Sequence, residues 1–226
     1  MIARIRKGAL ASLVALVSVT MVSTLPAGAI TITAGQSIDV TFPAPAGNPN
    51  LAASASIELL SLTSGLATFV TSVSNKTSLD PTADITAFGF LMSPAPTAPQ
   101  NVLVTHQAGT TAFVRATTPD SIPSIGGENV CVWTGNNCSG GSNTGLDPGQ
   151  NEVFRFALAG TFGSSVDLSL FGIKWQDCVG CSFEVLGTGT INQGLPRIPE
   201  PASLLLLGVG LLGLGGIGWR KRRNAK

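Results

Sequence analysis

Hydrophobic and polar residues alternate along most of the chain between residues 30 and 186. The pattern is clear at residues 38–42 and 166–170, and apolar side chains also stand at every second position of residues 102–104 and 153–158. Alternation with a period of two is typical of strands that bury one face. Gly, Pro and Asn separate these short runs, so the pattern predicts an all-β domain over residues 30–186. The expected architecture is an antiparallel β-sandwich or a jelly roll.

The alternating pattern is weaker in one segment within this region and in one that follows it. Residues 54–66 are apolar enough to form either a strand or a short helix, and periodicity alone leaves both open. Residues 187–198 are rich in Gly, Thr and Asn, and this composition predicts a linker that leads out of the domain.

The amino-terminal segment has the pattern of an export signal. Arg4, Arg6 and Lys7 precede an apolar stretch at residues 9–22, and small residues at 27–29 form a cleavage site. These features predict that residues 1–29 are a signal peptide that is removed after export.

The carboxyl-terminal segment predicts a transmembrane helix over residues 202–219. These 18 residues carry no charge, and a helix of that length spans roughly 27 Å, close to the hydrocarbon thickness of a bilayer. A basic cluster follows at once and is expected to stop transfer and stay cytoplasmic, leaving the rest of the chain outside. That cluster consists of Arg220, Lys221, Arg222 and Arg223.

The Pro199-Glu200-Pro201 tripeptide, the apolar segment and the terminal arginines together resemble the PEP-CTERM sorting signal of Gram-negative bacteria. The resemblance implies processing near the tripeptide by exosortase, an enzyme embedded in the membrane. It also implies transient anchoring in the inner membrane, followed by transfer to the cell surface or release.

Charge excludes one class of partner. Residues 30–199 contain five basic and eleven acidic residues, a net charge of −6, because most basic residues lie in the two end segments. A nucleic-acid-binding domain needs a basic face, so we expect no nucleic acid partner.

Four cysteines, Cys131, Cys138, Cys178 and Cys181, allow three disulfide pairings. An exported domain meets an oxidising compartment, so we expect bridges. Local pairing of Cys131 with Cys138 and of Cys178 with Cys181 is favoured, and pairing between the two groups stays open. A four-cysteine zinc site and a redox CxxC are disfavoured by spacing, compartment and strand-like surroundings.

The region around the first two cysteines is similar to the cistern family of PEP-CTERM proteins. The similarity rests on residues 130–141, 145–150, 154–156 and 171–176. It implies a role in an extracellular polysaccharide matrix, with exopolysaccharide as a partner. The family has no assigned activity, so the resemblance adds a class of protein and no mechanism.

The sequence offers little chemistry for catalysis. His106 is the only histidine, and it is expected to be a surface residue of a strand or turn. The candidate glycosidase carboxylates Asp167, Asp177 and Glu184 are scattered. A GxGxxG string at residues 208–213 lies inside the predicted membrane helix, where it cannot bind a dinucleotide. We therefore expect a protein without catalytic residues, metal or cofactor.

Trp133 and Trp175 are the two tryptophans of the predicted domain. Exposed, they could form a sugar-stacking platform, as in a carbohydrate-binding module. Buried beside a bridge, they would belong to the core of the sandwich. The platform requires that at least one of them is accessible.

Overall fold

The computed structural model describes residues 28–140, 144–176 and 182–192. The predicted membrane helix, the sorting tripeptide, the basic cluster, Cys178 and Cys181, and all but the last two residues of the predicted signal peptide lie outside these ranges. The described residues contain strands and turns but no helix, and hence no helix that could cross a membrane.

Thirteen strands form two sheets in the part of the chain that the structure describes. Sheet A contains β1 (Ile30–Ile32), β5 (Asp84–Ser93), β6 (Gln100–Leu103), β8 (Arg115–Thr118), β9 (Val130–Trp133), β11 (Val166–Gln176) and β12 (Ser182–Leu186). Sheet B contains β2 (Ser37–Phe42), β3 (Ala53–Leu62), β4 (Leu66–Asn75), β7 (Thr105–Gly109), β10 (Asn151–Ala159) and β13 (Thr188–Asn192).

The strands of each sheet pair antiparallel throughout the described residues. Sheet A has the order β1-β11-β5-β9-β8-β6, and β12 also pairs with β11. Sheet B has the order β13-β2-β3-β4-β10-β7. The prediction of an all-β antiparallel domain is confirmed.

The inner faces of the two sheets share one hydrophobic core. Phe42 of sheet B lies edge-on to Phe88 of sheet A, with ring centroids 6.2 Å apart. Phe69 of sheet B similarly meets Phe90 of sheet A at 5.8 Å. These aromatic contacts join the sheets face to face, which is the arrangement of a sandwich.

The stretch that could have been a helix is strand β3. Its residues Ala53, Ala55, Ile57 and Leu59 are buried, and those between them are only partly buried. Since β2 and β4 pair with its two edges, β3 is a central strand of sheet B. Its alternation therefore reflects one core-facing side.

The predicted linker over residues 187–198 is wrong for its first part. Thr188–Asn192 forms β13, which pairs with β2 at the edge of sheet B. A Cβ on Gly189 would lie 2.6 Å from the Phe171 ring, so this glycine allows close packing on the core. The domain extends to Asn192, and residues 193–198 lie outside the described ranges.

Candidate functional site

The outer face of sheet A is covered around the bridge between Cys131 and Cys138. Both cysteines are buried, and their Cα atoms are 6.2 Å apart. Ala87 and Ile122 pack with them in a second hydrophobic cluster, separate from the sandwich core. Local pairing is confirmed for this pair, and the four-cysteine zinc site is wrong because a disulfide uses two of the required thiolates.

Neither tryptophan of the described domain can stack against a sugar. Trp133 is 6% exposed, packs in the cluster around the bridge, and donates its Nε1–H to Thr117 Oγ1 at 3.2 Å. Trp175 is fully buried in the sandwich core. The carbohydrate-binding alternative that depends on these exposed aromatics is therefore wrong.

A buried carboxylate lies on β10 of sheet B. Glu152 is fully buried, and its Oε1 is 2.6 Å from His106 Nδ1 on β7. Its Oε2 accepts hydrogen bonds from the backbone amides of Ala112 at 2.7 Å and Phe113 at 3.1 Å. Glu152 therefore fixes the segment that leads from β7 to β8, and His106 occupies the exposed strand position that the sequence predicted.

The sequence contained a signal for Glu152 that periodicity reasoning missed. Glu152 has the same parity along β10 as Phe154, Phe156 and Leu158, all of which face the core. An acid at an inward position needs hydrogen-bond partners, because burial of an unpaired charge is costly. An acid in phase with the apolar positions of a strand therefore predicts a buried carboxyl group that is held by specific partners.

The structure does not bring the candidate glycosidase carboxylates together. Asp167 accepts a hydrogen bond from Thr31 where β11 pairs with β1. Glu184 contacts the buried Lys174 ammonium near the other end of β11, roughly 20 Å along the strand. Asp177 lies outside the described residues. Asp167 and Glu184 cannot flank one glycosidic bond, which requires carboxyl groups less than about 10 Å apart.

A second buried carboxylate lies on the outer face of sheet A. Glu128 is 6% exposed, and neither of its side-chain oxygens has a hydrogen-bond partner among the described residues. A Cβ on Gly172 would lie 2.3 Å from Oε1, and one on Gly89 would lie 3.6 Å away. The carboxyl group therefore occupies space that Gly172 leaves open, whereas a Cβ on Gly89 would make only an ordinary van der Waals contact with it.

Burial raises the pKa of Glu128 from 4.5 to about 7 because desolvation disfavours the charged form. Backbone groups of Glu128 and Ile122 lower the pKa in part, although neither reaches hydrogen-bond geometry with the carboxyl oxygens.

We predict that Glu128→Gln flattens the pH dependence of stability between about pH 4.5 and 7. A carboxyl group with a raised pKa binds more protons in the folded state, so its stabilising effect is lost as pH rises through this window. The loss is about 2 kcal/mol after allowance for solvent screening. Urea unfolding at pH 5 and pH 8 measures it, with Glu58→Gln as the matched control. If the free energy of unfolding changes equally with pH in wild type and Glu128→Gln, the raised pKa of Glu128 is contradicted.

The outer face of sheet B has a shallow depression of about 280 Å³ that crosses β2, β3 and β4. Short hydroxyl side chains line it, and we call it the hydroxyl trough: Thr41, Ser54, Ser56, Ser72 and Ser74. Asp39 and Lys76 also contribute to its walls. The lining of the trough contains no aromatic residue.

Comparison with known proteins identifies the tail of the chain. Residues 197–223 match the family model of the PEP-CTERM protein-sorting motif. No curated protein and no solved structure matches the chain significantly. The predicted resemblance of the tail is confirmed, whereas the resemblance of residues 130–176 to the cistern family stays a prediction.

Proposed function

We propose, from the premise that this chain is a PEP-CTERM protein, that it is a non-catalytic protein of the extracellular matrix. The sorting motif implies export and processing by exosortase. In the proposed route the signal peptide directs export, the apolar tail holds the chain in the inner membrane with its carboxyl terminus inside, and exosortase then frees the domain. The processed domain reaches the cell surface or the medium and associates there with exopolysaccharide.

The position of the motif relative to the fold carries the proposal. The matched segment begins at residue 197, whereas the last strand of sheet B ends at Asn192. Cleavage near the Pro-Glu-Pro tripeptide would therefore leave all thirteen described strands in one product. Removal of the motif would leave every described core residue in the product, as a detachable sorting signal requires.

Two features support a role without catalysis. Two acids of the described domain are engaged in structural contacts. Glu152 accepts hydrogen bonds from two backbone amides and contacts His106, and Glu184 forms an ion pair with Lys174. The buried bridge also suits a domain that must persist outside the cell, since cross-links stabilise against unfolding. The link to exopolysaccharide rests on the cistern resemblance.

Intact-mass analysis of the surface or released form tests the route. In cells with exosortase, the wild-type product is expected to lack residues 1–29 and 202–226. Simultaneous replacement of Pro199, Glu200 and Pro201 by Ala is expected to leave the tail attached and the protein in the membrane fraction. Glu58→Ala, a change within sheet B, is the control and should be processed like wild type.

Deletion of exosortase should reproduce the mass of the tripeptide variant. A wild-type mass that still includes residues 202–226 in exosortase-positive cells would refute the proposed processing. Processing that survives the triple replacement would show that the tripeptide is not part of the recognition sequence.

A further inference from the structure

We infer that the hydroxyl trough on sheet B is a binding surface for a strand of neutral polysaccharide. This inference rests on the proposed association with exopolysaccharide and assigns it to a surface of the fold. It replaces the tryptophan platform, which burial of both side chains excludes.

The strand register brings the hydroxyl groups into two parallel rows. Thr41, Ser54 and Ser74 are direct cross-strand partners on β2, β3 and β4. Ser56 and Ser72 are cross-strand partners two residues further along β3 and β4. Neighbouring strands are about 4.8 Å apart, a spacing comparable to one sugar unit of an extended glycan.

These rows face away from the sandwich core. Val40, Ala55 and Val73, which alternate with them along the three strands, are buried in the core cluster. Small side chains in adjacent rows leave a shallow concave surface, whereas longer ones would fill it. The trough thus has room for a polymer that lies across the strands.

The hydroxyl groups are available to a ligand. Among the described residues, none of the five side chains makes a hydrogen bond with another part of the protein. Lys76 likewise makes no ion pair within the described chain. A hydroxyl group can both donate and accept, so such rows match the hydroxyl groups of a sugar chain.

Charge selects a neutral polymer. The trough contains one acid, Asp39, and one base, Lys76, so its lining is neutral overall. The predicted exported segment around it, residues 30–199, has a net charge of −6, which repels a polyanion at low salt. Val40 and Ala55 are the apolar residues of the lining, and both are buried in the sandwich core. The accessible surface of the trough therefore lacks the apolar and aromatic centre that is typical of a protein interface, which disfavours a protein partner.

Affinity gel electrophoresis tests the inference on the processed protein. Hydroxyethyl cellulose, glucomannan and dextran serve as neutral probes, and alginate serves as the anionic probe. We expect at least one neutral polymer to retard the wild type and alginate to have little effect. Ser56→Gln/Ser72→Gln fills the centre of the trough without adding charge. It should raise the dissociation constant for the polymer at least tenfold.

Two further variants keep the test independent of folding. Ser56→Ala/Ser72→Ala removes two hydroxyl groups that have no hydrogen-bond partner among the described residues, so it should retain the wild-type melting temperature while weakening binding about tenfold. Thr105→Gln is the matched control, because Thr105 is exposed on β7 of the same sheet but outside the trough. It should bind like wild type.

The outcomes separate the inference from the function on which it rests. If a neutral polymer retards both double variants as strongly as the wild type, the trough is not the binding surface, and the association with polysaccharide still stands. A wild type that no polymer retards, or that only alginate retards, would overturn both the trough and the association with a neutral matrix. Export and processing are tested independently by mass.

Discussion

Glu152→Ala is expected to lower the free energy of unfolding by about 3 kcal/mol. The variant leaves the amides of Ala112 and Phe113 without their acceptor, and it removes the buried partner of His106. It also opens a cavity among core residues of sheet B. Urea unfolding followed by tryptophan fluorescence measures the change.

Glu58→Ala is the matched control for this prediction. Glu58 is an acid of the neighbouring strand β3 on the outer face, with no described hydrogen-bond partner. Its removal should change the free energy of unfolding by less than about 0.5 kcal/mol. If the two variants are equally stable, Glu152 does not hold the segment between β7 and β8.

Cys131→Ala/Cys138→Ala is expected to lower the free energy of unfolding by about 2.5 kcal/mol. The bridge closes a loop with a sequence separation of 7, and opening it restores conformational entropy to the unfolded chain. Both cysteines lie in the same buried cluster as Trp133, so the variant should also change the near-ultraviolet circular dichroism of that ring.

Asn136→Ala tests whether the effect belongs to the bridge. Asn136 is exposed in the same loop, and its replacement should leave both stability and the aromatic spectrum close to wild type. If the double cysteine variant is as stable as Asn136→Ala, the bridge does not contribute to the stability of the exported domain.

Periodicity was sufficient for the fold class because half of each strand faces one core. The alternation at residues 38–42 and 153–158 corresponds to β2 and β10, and within these two ranges the buried positions are apolar. It was insufficient at residues 188–192, where Thr and Gly give no apolar alternation. There the pairing of β13 with β2 and the close approach of Gly189 to Phe171 decide the structure.

The candidate sites divide in the same way. Local spacing was enough to pair Cys131 with Cys138, since a loop of this length closes readily. The partners of Glu152 and the surroundings of Glu128 were beyond sequence reasoning, because they depend on strands that are distant along the chain. Glu128 meets Gly89 of β5 and Gly172 of β11 only after sheet A has formed.

The sequence by itself determined the β class, the acidic character of the exported part and the sorting motif at residues 197–223. Each of these depends on local pattern, composition or a contiguous motif. Only the tertiary structure decided that the tryptophans are buried, that two carboxylates are enclosed, and that five hydroxyl groups share a trough. The physical reason is that burial and juxtaposition arise from the register of strands and the packing of sheets, which bring together residues far apart in sequence.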